Sequence, residues 1–284
     1  MQSNKAKIGI VGLGLIGGSL AAALHDAGYA VFGCDKEKSI QDFAEVAGTI
    51  DGKLDEKTIS ECDVVFIAIT LEQAKNWIVE NAEYINKDAL VIDCCGVKRE
   101  ICKVGEEAAA ANGFTFMGGH PMAGKQVGGY KNSRADLFRD AAFCLVPSDK
   151  NDIRLMMKAK TVLADAGFSK FIVMTPDEHD RVIAFTSQLA HLISNAYIKS
   201  DIAEADEVAM LSGGAFRDMT RVAYLDEAMW TELFLQNGDN LLSELNDFIE
   251  ELERYKVALE NKNSDALAKL LIEGKERKQK IEGK

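Results

Sequence analysis

A short apolar run, KIGIVGL (7–13), passes directly into Gly12-Leu13-Gly14-Leu15-Ile16-Gly17, and an alanine-rich helical stretch (15–28) starts inside that hexapeptide. A GxGxxG turn between a strand and a helix constrains the fold strongly. Its first glycine permits a tight turn, and its second lets another backbone or an anion approach closely. Its third lets the helix pack hard against the strand. The rest of the first half continues the alternation. AVFGCD (30–35), VVFIAI (64–69), ALVIDCC (89–95) and FTFMGG (114–119) are apolar and rich in Val, Ile and Phe. Helical segments at 39–47, 71–85 and 98–112 separate them. Near-continuous apolar strands divided by helices predict a mainly parallel sheet covered on both faces. AAFCLVP (141–147), a helix near 151–166 and FIVM (171–174) extend it.

The pattern changes at Thr175. Thr175-Pro176-Asp177-Glu178 is a capping box with proline at the first helical position, and no proline follows Pro176. Phe234, Asn237, Leu241, Leu245, Phe248, Leu252 and Tyr255 recur at spacings of three and four, which predicts one stripe of a long helix. The expected class is therefore α/β: a Rossmann-type domain over 1–174, then an all-helical domain over 175–284. A helical domain with an apolar stripe commonly packs on a symmetry mate, so a homodimer through this domain is expected.

The turn and its surroundings point to a dinucleotide. Amides at the helix start face a pyrophosphate. Asp35 closes the second strand, where a carboxylate can accept hydrogen bonds from ribose hydroxyls and repel a 2′-phosphate; this favours NAD over NADP. Lys36 beside it weakens that preference. Gly12, Leu13, Gly14, Leu15, Ile16 and Gly17, with Asp35, Lys36 and Thr70, form the expected cofactor-binding set.

Charge narrows the partners. Lys+Arg 33 against Asp+Glu 45 gives a net charge of −12, which argues against a nucleic-acid or anionic-membrane surface but permits a local basic pocket. No apolar run is long enough to span a bilayer, and the polar start shows no signal-peptide pattern, so the cytoplasm is the expected compartment. The six cysteines lack zinc or redox spacing, and no metal is expected.

The stretch GGHPMAGKQVGG (118–129) places His120, one of four histidines, among five glycines and a proline. It reads as a loop at the carboxyl edge of the sheet, where ligands bind. SQLAH (187–191) puts His191 on a helix, and GGAFRDMTR (213–221) supplies a glycine hinge with Arg217 and Arg221. A base and several cations facing a dinucleotide cleft suit oxidation of an anionic alcohol. A non-catalytic NAD(H) sensor is the alternative of a different class.

GLGLIGGS (12–19), GGHPMAGK (118–125), SQLAH (187–191), GGAFRDMTRVA (213–223) and Met229-Trp230 occur in an order that resembles the prephenate dehydrogenase family of tyrosine biosynthesis. That resemblance implies NAD-dependent oxidative decarboxylation of prephenate, a dicarboxylate, to 4-hydroxyphenylpyruvate. It implies His120 as the base at the ring hydroxyl, Arg221 at a carboxylate and His191 on the substrate side. Arg217, Lys125 and Gln126 are further candidates for the anionic pocket, and Trp230 for its wall. Arogenate, the amino analogue, is the alternative substrate. Three departures from the family pattern stand out. Gly96 replaces a frequent serine that assists at the hydroxyl, Gln126 replaces a frequent acid, and Gln188 replaces a frequent histidine. The missing acid leans towards prephenate. Neither a preceding chorismate mutase segment nor a following ACT domain is expected.

Overall fold

The computed structural model describes residues 5–124, 127–150 and 152–283. Its sheet comprises β1 (Lys7–Val11), β2 (Ala30–Cys34), β3 (Gly52–Lys53), β4 (Val64–Ile67), β5 (Leu90–Asp93), β6 (Thr115–Met122), β7 (Ala142–Pro147) and β8 (Lys170–Val173). The spatial order is β3-β2-β1-β4-β5-β6-β7-β8, and every pairing is parallel except β6 with β7. Helices α1 (Leu15–Asp26), α2 (Lys38–Val46), α3 (Glu56–Ile59), α4 (Leu71–Asn81), α5 (Arg99–Asn112) and α6 (Ile153–Asp165) connect the strands. All residues of β4 and β5 are buried, as an apolar strand between two helical layers requires. One face packs Ile8, Ile10, Leu20, Leu24 and Phe143; the other packs Val65, Ile67, Ile78, Ile101 and Phe116. The chain order reverses between β1 and β4, which opens a ligand crevice at their carboxyl ends.

The expected loop at 118–129 is corrected in its first part. Residues 118–122 continue β6, which pairs with β5 up to Met117 and runs antiparallel to β7 from Met117 to Met122. The glycines serve close approach rather than a turn. A Cβ on Gly118 would lie 2.6 Å from the Cys102 sulfur, and one on Gly119 would lie 2.4 Å from the Asp93 carbonyl oxygen. Pro121 is tolerated because the strand beyond Met117 has a partner on one side only.

The second half consists of α7 (Pro176–Ile183), α8 (Ala190–Tyr197), α9 (Asp206–Leu211), α10 (Gly214–Thr220), α11 (Glu227–Gln236), α12 (Gly238–Glu260) and α13 (Ser264–Ile281). The capping box forms as expected: Thr175 Oγ1 accepts from the Glu178 amide at 3.2 Å, and Glu178 Oε2 accepts from the Thr175 amide at 2.7 Å. A π-helical turn over Ala184–Leu189 joins α7 to α8. The single long stripe is corrected to two helices, α11 and α12, broken at Asn237. Its fully buried amide donates to Asp180 O and to Gln188 Oε1, both at 2.8 Å. No helix among the described residues is long and apolar enough to cross a membrane.

Candidate active site

The glycine turn is built as its spacing requires. Gly12 has φ +86°, and a Cβ on Gly17 would lie 1.8 Å from the Gly12 carbonyl oxygen. Around Gly14 the space is open, with nothing within 4 Å of an added Cβ, and no side chain caps α1 there. The α1 amides are therefore open to an anion, and these residues fit a pyrophosphate. The Leu13 and Leu15 side chains are buried, so they offer the cleft only their backbone. Ile16 is half-buried, and Lys36 is exposed. Asp35 Oδ2 accepts from the Leu13 amide at 2.8 Å and Oδ1 accepts from the Glu37 amide at 2.9 Å. Each carboxylate oxygen keeps a further lone pair for a ribose hydroxyl. Thr70 caps α4 without a side-chain hydrogen bond and is exposed. A cavity of about 450 Å³ opens next to Cys34, between Leu54, Ile59, Trp77 and Asn81.

His120, half-buried on β6, has a partner that its motif does not reveal. Its Nδ1 lies 2.9 Å from His179 Nε2, and His179 Nδ1 lies 2.7 Å from Asp180 Oδ1. Both His179 and Asp180 are 1% exposed. Chemistry sets the tautomers. The Asp180 carboxylate can only accept, so His179 Nδ1 carries a proton and its Nε2, when neutral, is an acceptor. His120 Nδ1 must then donate, which leaves the lone pair on His120 Nε2. Burial holds His120 well below the ordinary imidazole value, and the nearby His179 and Lys98 push it further down. Burial also lowers His179, against the opposing pull of Asp180. Burial alone would raise Asp180, but the hydrogen bonds from His179 and from the Arg99 and Lys98 amides outweigh it and hold it low. His120 is thus a neutral base near pH 7.

Beneath it lies a buried ion pair. Lys98 and Asp93 are both fully buried. Lys98 Nζ donates to Asp93 Oδ2, and to the Gly119 carbonyl at 2.7 Å. Asp93 Oδ1 accepts from the Gly119 amide at 3.1 Å, and Oδ2 from the Cys95 amide at 2.9 Å. Burial works against the Lys98 charge, yet Asp93 outweighs it and raises the ammonium above its usual range. The residue preceding His120 is therefore clamped at both its amide and its carbonyl. The Lys98 and Arg99 amides in turn donate to Asp180 at 2.7 and 3.0 Å, which joins the α5 N-terminus to the histidine chain. At Gly96, an added Cβ would lie 3.1 Å from the Leu233 side chain. The space beside the expected serine position is thus apolar, and the partner that His120 does have is His179.

The helical half contributes a second cluster. His191 Nδ1 donates to the Ser187 carbonyl at 2.8 Å, and its ring lies on Trp230 with centroids 4.1 Å apart. Burial lowers its pKa, and the charge of Arg221 adds to this. Arg221 and Arg217 are both exposed at α10. His191, Trp230 and Arg221 are thus brought together, whereas Lys125 and Gln126 lie outside the described residues. Sequence reasoning named His120 but missed His179, Asp180, Asp93 and Lys98. One signal was present: His179 is one of four histidines and directly precedes an aspartate on a capped helix.

Both halves of the chain match known proteins. Residues 20–173 match the family model for prephenate dehydrogenase, nucleotide-binding domain, and residues 175–273 match that for prephenate dehydrogenase, dimerization domain. A prephenate dehydrogenase of Lactococcus lactis is 30% identical over 283 residues, covering 97% of this chain and 77% of that protein. The solved prephenate dehydrogenase of A. aeolicus, in complex with hydroxyphenyl propionate and NAD+, superposes with a TM-score of 0.85 at 27% identity, covering 99% of this chain and 100% of that one. Synechocystis arogenate dehydrogenase gives 0.82 at 27% identity, covering 97% and 99%. With both halves matched in order, this chain belongs to the prephenate dehydrogenase family, NAD-dependent oxidoreductases built from a nucleotide-binding and a dimerization domain.

Proposed function

We propose that this protein oxidises and decarboxylates prephenate to 4-hydroxyphenylpyruvate, dividing its work between residues 1–174 and 175–284. The observation that carries the reading is the Asp180–His179–His120 chain, which leaves a basic lone pair on His120 Nε2. Bound NAD supplies the hydride acceptor. The turn Gly12–Gly17 would hold its pyrophosphate and Asp35 its adenosine ribose, which favours NAD over NADP. Thr70 and the Ile16 backbone border the same cleft, and exposed Lys36 sits beside Asp35.

His120 Nε2 takes the proton of the ring hydroxyl as hydride leaves the same carbon. The ring is then a vinylogous β-keto acid. Loss of CO2 aromatises it, so the protein has mainly to orient the groups and hold the base neutral. Asp180 and His179 keep the productive tautomer and steady the imidazolium that forms. Arg221 meets a substrate carboxylate, and Arg217, Lys125 and Gln126 are further polar candidates for binding the dianion. His191, its Nδ1 proton committed to Ser187, offers Nε2 as an acceptor, and Trp230 is its wall.

Initial rates of NADH formation with prephenate across pH test this reading. The base must be deprotonated and sits below the ordinary value of 6.5. The acid limb of kcat/KM is therefore expected below pH 6.5, with a plateau through neutrality; a limb above that value contradicts the assignment. Arg221→Ala is expected to raise KM for prephenate about tenfold or more, the worth of a charged hydrogen bond, while kcat changes by less than about threefold. An unchanged KM removes Arg221 from the carboxylate site.

Arogenate is the second reading, favoured by the likeness to Synechocystis arogenate dehydrogenase. The kcat/KM ratio for the two substrates separates them. A homodimer through the helical half fits the exposed Ile202, Met210, Leu211, Tyr224 and Leu235 and the matched dimerization domain.

A further inference from the structure

Helix α4 starts at the switch-point edge of the sheet, yet its own cap, Thr70, makes no side-chain hydrogen bond to it. The partner comes from the other half of the chain. Glu232 Oε1, on α11, accepts from the Glu72 amide at 2.6 Å, and Gln236 Nε2 donates to Glu72 Oε1 at 3.1 Å. A carboxylate at a helix N-terminus is favoured by both the free amides and the helix dipole. The same ten-residue helix carries the substrate-side wall. Trp230 lies on His191, and Leu233 packs against Gly96 while its carbonyl accepts from Gln188 at 3.0 Å. At its end, Asn237 holds the Asp180 carbonyl. One rigid element therefore touches the cofactor-side turn, the His191 wall and the residue that orients His179.

We propose that Glu232 is a positioning residue: a latch that fixes α11 to the α4 N-terminus and so couples cofactor loading in the crevice to the fit of the substrate pocket. This rests on the function proposed above. The crevice between β1 and β4, which would take a dinucleotide, is bordered by the β4–α4 turn that Glu232 holds. Whatever that contact fixes is passed along α11 to Trp230 and His191, and coupling of this kind is reciprocal.

The test measures binding of hydroxyphenyl propionate by calorimetry with and without saturating NAD, alongside prephenate kinetics, for wild type, Glu232→Ala and Glu232→Gln. Wild type is expected to bind the analogue more tightly with NAD. Glu232→Ala loses that coupling and raises KM for prephenate about five- to tenfold, the worth of a lost helix cap, with kcat within about twofold. Glu232→Gln retains a carbonyl oxygen for the Glu72 amide and recovers both. Full coupling in Glu232→Ala, no coupling in wild type, or equal loss in both variants overturns the latch. Absence of wild-type turnover with prephenate overturns the proposed function instead, and the binding measurement still reads the latch.

Discussion

His120→Asn is expected to lower kcat for prephenate oxidation by about 10²- to 10⁴-fold, the range for loss of a general base, with NAD binding and Tm near wild type. An asparagine amide can still donate towards His179 Nε2, so the buried chain to Asp180 keeps its hydrogen bonds. What disappears is the basic lone pair, because an amide oxygen does not take up a proton near neutral pH. The loss therefore falls on kcat rather than on folding. Steady-state rates, NAD titration and thermal melting check the three parts separately. A variant with wild-type kcat removes His120 from proton transfer.

Lys98→Met has the second large effect, and it falls first on stability. The substitution leaves Asp93 charged at a fully buried position. Removing one partner of a buried ion pair costs about 3–5 kcal/mol, because the other charge stays desolvated and unpaired. For a chain of this size Tm should fall by roughly 10 °C. Activity should fall as well, because the Gly119 carbonyl loses its donor next to His120. Adding Asp93→Leu should restore only part of the stability. It removes the buried charge, but the Gly119 and Cys95 amides then lose their acceptor. A melting curve unchanged by Lys98→Met contradicts the clamp.

These two effects fall on opposite sides of what the sequence made legible. The parallel sheet, the glycine turn and the Thr175 cap are local patterns, in which period, turn chemistry and helix start lie within a few residues of one another. His120 was visible because a histidine among glycines is conspicuous. Its partners were not. His179 is 59 residues away, and the contact exists only because α7 packs against the α5 N-terminus. Glycines at 118 and 119 suggest a turn in sequence, whereas the neighbours Cys102 and Asp93 leave no room there for a Cβ. The stripe through 234–255 was periodic, but Asn237 within it serves a buried polar network and breaks the helix. Gly96 in turn reads differently beside Leu233: the departure from the family pattern coincides with an apolar neighbour, and support for the base comes from the opposite ring nitrogen through His179.

The same arrangement explains how a partly desolvated base stays useful. Desolvation keeps His120 neutral, and the carboxylate two hydrogen bonds away steadies it once it takes a proton. The clamp on Gly119 fixes its backbone, and α11 sets the facing wall.

The most direct measurement follows NADH and CO2 together after mixing the protein with NAD and prephenate at neutral pH. Both are expected to appear at equal rates and in a one-to-one ratio, with 4-hydroxyphenylpyruvate as the product. NADH without CO2, or neither with prephenate while arogenate is turned over, would contradict it.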